Sequence, residues 1–329
     1  MFNSTLPNVE SEVSDRLNNG YVNLLDRRDR WPTPVRVNPL KGLFAGVSNC
    51  SVAHWYLMPG LNFHRYRVRL TLSTILGKRR ELRNVVAQAL DETISPTAFL
   101  DFDFAWKALA SREFFGTYLD YSSPWLFPAM VLKERRLEGA MVLGSDPLGM
   151  EVIERLSREQ RDGRNWTICK RINGGAFTNE SFDVVTSLSW IARVEDDIGT
   201  LKQLWGAVKP GGMLLLSLPC TTRMDDGRPR NKTFSTVVQK PEKWTSRLYN
   251  ESMLRERVFA VVGQPRRYVV YGESKPGIDR NLTTPGGNRD SHSFNNFVAI
   301  ARGWQTYSSL GDIPGEGVIA MKFIKREVR

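Results

Sequence analysis

ESFDVVTSLSWIARVEDDIGTLKQLWGAVKPGGMLLLSLP, residues 180–219, changes its apolar rhythm twice. SFDVVTSLS (181–189) is a short apolar run of strand length. In EDDIGTLKQLWGAVKPGG, Ile198, Leu201, Leu204, Trp205 and Val208 recur at helical spacing and share one face. The acidic start and the Lys-Pro-Gly-Gly end are helix start and stop signals. MLLLSLP (213–219) then runs apolar on both faces, as a parallel strand buried between two helical layers must. Strand, helix and buried strand in succession predict one βαβ unit of a parallel sheet.

The same alternation extends to both sides. Upstream stand a strand GTYLDYS (116–122), a helix WLFPAMVLKERR (125–136), a strand GAMVLGSD (139–146), a helix PLGMEVIERLSREQ (147–160) opened by proline, and a strand WTICKRI (166–172). Downstream come a helix NESMLRERVFAVV (250–262), a strand RRYVVYGE (266–273), a long polar loop (274–293) and a last strand GVIAMKFIKRE (317–327). The fold expected is α/β: a doubly wound, mostly parallel, seven-stranded Rossmann-like sheet with an N-terminal extension. The division expected is 1–93 for the extension and 94–329 for the sheet domain.

Open α/β sheets bind ligands beyond the carboxyl ends of their strands, where the winding reverses. The first strand ends in LDYSSPW, with Asp120, Ser122 and Ser123; the second ends in GSDP, with Asp146. Small residues let a ligand approach the backbone, and a following helix offers unpaired N–H groups. A carboxylate at the end of the second strand suits a ribose diol. Asp120 reads equally well as a helix cap and Asp146 as a turn residue before Pro147.

The 180–219 stretch resembles the fourth strand, helix, KPGG turn and fifth strand of the class I S-adenosylmethionine-dependent methyltransferases. ISPTAFLDFDFAWKAL (94–109) and the LDYSSPWLF turn resemble that family's type-11-like group, often associated with cell-surface glycan biosynthesis. The resemblance covers roughly residues 94–329. It implies S-adenosyl-L-methionine as cofactor, with Asp120, Ser122 and Ser123 at its methionine end and Asp146 on its ribose. It further implies Asn173, within NGGAF (173–177), beside adenine, and Ser187 and Leu188 along the sulfonium pocket. Arg193, where the family often carries a histidine, becomes a candidate for binding an acceptor, anionic by preference, since guanidinium is a poor base. The family's glycine-rich first turn is replaced by Asp-Tyr-Ser-Ser-Pro, and its Glu-His pair by Ala192-Arg193. Methyl transfer to a small-molecule or glycan-linked acceptor is the leading expectation. A non-catalytic scaffold that keeps the fold is the first alternative and RNA methylation the second. No G-x-G-x-x-G follows any strand, so a nicotinamide dehydrogenase ranks last.

Composition adds limits. The apolar fraction is 41% and the charged fraction 25%, values of a globular chain with a sizeable core. Three cysteines and three histidines lack metal-ligand spacing, and no metal is expected. The net charge of +11 favours anionic partners. WPTPVRVNPLKG (31–42) belongs to an N-terminal stretch, to about residue 60, that reads as irregular. Beyond it, arginine and apolar residues alternate at Arg65, Arg67 and Arg69, and a helix is expected over Lys78–Leu90. Seven basic residues from Arg65 to Arg83 face a single acid, which points to an anionic acceptor or an acidic membrane. Nucleic acid ranks below both. The placement expected is cytoplasmic, peripheral at the inner face of the membrane.

Overall fold

A computed structural model of the chain describes residues 39–76, 97–110, 115–144, 146–158, 165–169, 179–222, 230–231, 245–275 and 294–327. Asn173, the Lys78–Leu90 segment and residues 276–293 of the polar loop lie outside these residues. The chain divides into two compact units, Met1–Pro34 and Val35–Arg329. The second unit is described below.

It begins with two helices, α1 (Pro39–Trp55) and α2 (Leu61–Leu76), then α3 (Ala98–Ala110). The alternating core follows: β1 (Phe115–Tyr121), α4 (Leu126–Glu134), β2 (Leu137–Leu143), α5 (Pro147–Arg158), β3 (Asn165–Cys169), β4 (Phe182–Leu188), α6 (Asp197–Ala207) and β5 (Val208–Thr221). A two-residue ladder joins β6 (Arg230–Asn231) to β7 (Thr245–Ser246). Helical turns α7 (Glu251–Met253, Leu254–Phe259 and Ala260–Val262), β8 (Arg267–Glu273), α8 (Phe294–Gly303), β9 (Trp304–Tyr307) and β10 (Glu316–Ile324) complete the unit.

The main sheet runs β3-β2-β1-β4-β5-β10-β8-β9. β1 to β5 pair in parallel, β10 is antiparallel to both β5 and β8, and β9 is antiparallel to β8. The sheet is therefore mixed, and among the described residues it has eight strands rather than the seven expected. The added edge strand WQTY is short and half-exposed, too brief for a period-two signal. The winding reverses between β1 and β4, so the crevice expected of an open α/β sheet lies at their carboxyl ends.

Period-two packing divides the core. On β5, Met213 and Leu215 face the layer built from α1 to α5 and α8, where Phe63, Phe99, Phe102 and Phe127 cluster. Leu214, Leu216 and Leu218 face the opposite layer, with Leu201 and Leu204 of α6 and Leu254 and Val258 of α7. Both faces are buried, which is why MLLLSLP carries no polar face.

Two sequence expectations change here. The stretch to residue 60 is not irregular throughout, since 39–55 is helical, and the Arg65–Arg69 alternation lies inside α2. One register puts Arg65 and Arg69 outside and Arg67 inside. His64 is also buried, stacked on Phe99 at 3.8 Å, and burial beside Arg67 drives its imidazole down to about 3. It is neutral at ordinary pH.

The KPGG turn also sits differently. Residues 209–212 form a bulge within β5 rather than a link before it: Phe182 pairs Val208, but Val184 already pairs Met213. Gly211 takes the left-handed φ of 74° that the bulge requires. Lys209 Nζ reaches Asp183 Oδ2 at 3.0 Å, and the same oxygen accepts from Thr117 N–H and Oγ1. The motif that most plainly reveals the fold thus braces the amino end of the sheet, opposite the crevice.

Candidate functional site

Three strand ends meet at the switch point. After β1 the chain turns sharply at Ser122, whose φ of 56° lies in the left-handed region. Its N–H donates to the Leu143 carbonyl at the end of β2 (2.7 Å), which fixes the turn. Its Oγ is buried and has no hydrogen-bond partner among the described residues. Trp125 Nε1, three residues on, is buried in the same condition.

Asp120 lies beneath this turn, fully buried. Oδ1 accepts from Ser123 N–H (3.0 Å), and Oδ2 from the hydroxyls of Thr186 (2.6 Å) and Tyr118 (3.0 Å). Burial pushes its pKa up to about 6, against the opposing pull of Thr186 and Ser123. All its contacts serve the fold: it ties β1 to β4 and to the next turn. Ser123 and Ser187 extend that tie. Ser123 Oγ accepts from Leu188 N–H (3.1 Å), and Ser187 Oγ donates to the Tyr121 carbonyl (3.0 Å). Backbone pairing of β1 with β4 ends at Asp120 and Thr186, so these side chains bridge the strands where they would otherwise part.

Asp146 stands at the next strand end. Its carboxylate accepts from Leu148 N–H and Gly149 N–H, both at 3.1 Å, and caps α5. Burial raises its pKa while the two amides lower it. Proline at the first helical position and aspartate before it are the sequence reasons the helix starts here. The carboxylate remains half-buried at the sheet's ligand-binding end.

The second half of the site was not legible as a motif. Ser189, directly after β4, also has a left-handed backbone, φ 58°. Its Oγ donates to Asp101 Oδ2 at 2.6 Å, and its N–H donates to Ser217 Oγ of β5 at 2.9 Å. Asp101 projects from α3 and is only 1% exposed, yet its Oδ1 has no partner among the described residues. Burial raises its pKa to about 7, and the Ser189 and Ser217 hydroxyls pull the other way. A carboxyl that titrates near neutrality and reaches a half-exposed hydroxyl can take up a proton there. The sequence signal was an acid in the buried phase of an apolar helix, FLDFDFAWKAL, where charge is rare without a function.

Arg193 closes the short helical turn Ile191–Arg193 that follows Ser189. Its guanidinium lies over the Trp190 ring, 5.7 Å from the centroid, and burial lowers its pKa. The structure thus brings Asp120, Ser122, Ser123, Ser187 and Leu188 together at the β1–β4 crevice. Asp146 stands one strand away, and Asp101 and Ser189 form a second cluster toward β5. Among the described residues no three His, Cys, Asp or Glu side chains gather as metal ligands do.

No family model matches the sequence, and no curated protein matches it either. Solved structures similar in outline include a phosphoethanolamine N-methyltransferase of Haemonchus contortus bound to phosphomonomethylethanolamine and S-adenosylhomocysteine. It has 14% identity and a TM-score of 0.46, over 77% of this chain and 59% of that one. A geranyl diphosphate methyltransferase bound to its diphosphate and sinefungin has 11% identity and a TM-score of 0.46, over 77% and 85%. The [4+2]-cyclase SpnF has 11% identity and a TM-score of 0.42, over 68% and 81%.

Proposed function

We propose that this chain is an S-adenosylmethionine-dependent methyltransferase whose acceptor is a small or glycan-linked molecule bearing a hydroxyl or protonated amine. The observation that carries the reading is the placement of Ser122 and Asp146 at neighbouring strand ends. A left-handed turn with a buried hydroxyl, unpartnered among the described residues, follows β1, and a half-buried carboxylate follows β2. The cofactor's chemistry suits these residues: its ammonium and sulfonium are cations, its ribose offers two hydroxyls, and Asp101 and Asp146 are acids. Asp146 would hold the ribose, the Ser122 turn the methionine end, Asn173 the adenine side, and Ser187 and Leu188 the sulfonium surroundings. Asp120 supports that turn from beneath, because its oxygens are already engaged.

When bound, the cofactor supplies an activated methyl group, so the protein's share is orientation and proton removal. Ser189, hydrogen-bonded to Asp101, is placed to accept the acceptor's proton while passing its own to Asp101 Oδ2. Asp101 suits the role of base better than Arg193, which stays protonated.

A second reading rests on the Ser123–Leu188 and Ser187–Tyr121 bridges across the switch point. Strands so tied suit a scaffold that has kept the fold and lost turnover. Titration calorimetry with S-adenosylmethionine and S-adenosylhomocysteine, on native protein and on Asp146→Ser, separates the two. Serine keeps the helix cap but removes the carboxylate, so the methyltransferase reading expects both ligands to bind and Asp146→Ser to lose about 1–3 kcal/mol. Absence of binding to the native protein at high ligand concentration would leave the scaffold.

A further inference from the structure

From Pro39 to Leu76 the sequence contains no Asp or Glu, while Lys41, Arg65, Arg67 and Arg69 are basic. This acid-free segment folds as the α1–α2 pair, whose two sides differ. The inner side buries Val52, Ala53, Phe63, Tyr66 and Leu70 in the core. On α2 the outer side exposes Arg65, Arg69, Leu72 and Leu76, at helical spacing. On α1 it exposes Phe44, Val47 and Trp55. A groove of about 310 Å³ between the two outer faces is lined by Val47, Trp55, Leu61, Val68, His54 and Arg65.

The bulkiest apolar groups protrude rather than recede. Phe44 is 70% exposed, Trp55 82%, Leu57 87% and Leu76 80%. Leu57 occupies the inter-helix turn with φ 49°, a conformation glycine would adopt more cheaply. Leucine there accepts both backbone strain and full contact with water, a combination that favours a covering partner.

We infer that the outer face of the α1–α2 pair is a docking surface for an anionic lipid bilayer. Trp55 and Leu57 enter the headgroup region, and Arg65 and Arg69 pair with lipid phosphates and carboxylates. Charge complementarity selects this occupant: the face carries cations, and the segment has no acid to repel a negative surface. Tryptophan at the apolar–polar boundary and arginines whose stems lie along apolar neighbours are the usual contents of such an interface. No helix among the described residues is long and apolar enough to cross a membrane, so the contact lies on the surface. The inference is independent of the methyltransferase reading and corrects the basic cluster expected from sequence: Arg67 points inward, and apolar side chains share the work.

The test is co-sedimentation of the full chain with phosphatidylserine–phosphatidylcholine vesicles at low salt. Three doubly substituted proteins accompany it: Trp55→Ser with Leu57→Ser, Arg65→Glu with Arg69→Glu, and Arg266→Glu with Arg267→Glu. The last pair, exposed at the start of β8, has the same charge change elsewhere. The native chain should sediment with the vesicles. Arg65→Glu with Arg69→Glu should weaken binding at least about thirty-fold, at roughly 1 kcal/mol per basic residue near an anionic surface. Trp55→Ser with Leu57→Ser should weaken it at least about ten-fold, and the Arg266 and Arg267 pair should bind nearly as well as native. All substituted positions are exposed, and unchanged melting temperatures would show the fold intact. The inference is overturned if the native chain stays in solution, or if the Arg266 and Arg267 pair loses as much as the Arg65 and Arg69 pair. It is also overturned if light scattering finds a dimer that Trp55→Ser with Leu57→Ser dissociates, which would give the face to a second copy.

Discussion

Two buried aspartates, Asp120 on β1 and Asp101 on α3, differ in what surrounds them. Asp120 receives three donors, from Tyr118, Thr186 and Ser123, and every contact locks β1 to β4. Asp101 has one oxygen on Ser189, a half-exposed residue, and another with no partner among the described residues. Each lies near a left-handed serine: Ser122 stands two residues after Asp120, and Ser189 donates to Asp101. Burial raises both pKa values, to about 6 and about 7. Perturbation alone therefore does not separate the two; unfilled hydrogen-bonding capacity does.

The largest expected effect breaks this contrast if it fails. Asp120→Ala would strand the Ser123 amide and take a partner from two buried hydroxyls that still reach each other at 2.9 Å, at about 2–3 kcal/mol of stability by urea denaturation. Asp101→Asn keeps an acceptor for Ser189 and should stay within about 1 kcal/mol of native near neutral pH. Equal losses would make both residues structural.

The pH dependence sharpens the same comparison. Each carboxyl holds its proton in the fold after the unfolded chain, at the ordinary 3.8, has released it. Their ionisation thus costs stability as pH rises from about 4, ending near 6 for Asp120 and near 7 for Asp101. Asp183 and Asp197 are shifted downward and act with opposite sign at lower pH. His64, neutral in the fold down to about 3 while the unfolded imidazole titrates at 6.5, adds stability over the same range with the opposite sign. The Asp101 share is therefore the difference between native protein and Asp101→Asn, which should lack the decline between pH 6 and 7 in urea midpoints. A decline unchanged in that variant would place the titrating group elsewhere.

The two serines give the smallest effect. Ser122→Gly relieves a left-handed serine whose hydroxyl has no partner, and should stabilise by about 0.5–1 kcal/mol. Ser189→Gly relieves the same strain but removes the bond to Asp101, so its gain should be smaller or reversed. Equal gains from thermal melts would mean that the Ser189–Asp101 bond contributes nothing.

The legible parts of the sequence were those where a single period dominates. SFDVVTSLS and MLLLSLP appear as β4 and β5 because both sheet faces are apolar, and Asp-rich DDIG starts α6 through the Asp196 cap on Gly199. At the site, the serines after β1 and Asp146 after β2 were recognisable because they stand at strand ends. Asp101 was not, since its partners Ser189 and Ser217 lie 88 and 116 positions away and become neighbours only through the fold. The α1 helix was obscured by Pro39, Gly42 and Gly46, which read as turn residues although proline suits a first helical turn. KPGG reads as a helix stop and is a bulge at the amino end of the sheet, because spacing along the chain does not say which end of a strand a turn occupies.

The central claim, that the strand-end turn at Ser122 receives S-adenosylmethionine, is tested most directly by melting the native protein and Ser122→Leu with and without excess ligand. A ligand at about 100 times its dissociation constant adds about 2.7 kcal/mol, several degrees in a unit of this size. The account predicts that shift in the native protein and none in Ser122→Leu, whose side chain would fill the turn. An undisturbed melting temperature in the native protein at millimolar ligand, or an equal shift in both proteins, would contradict it.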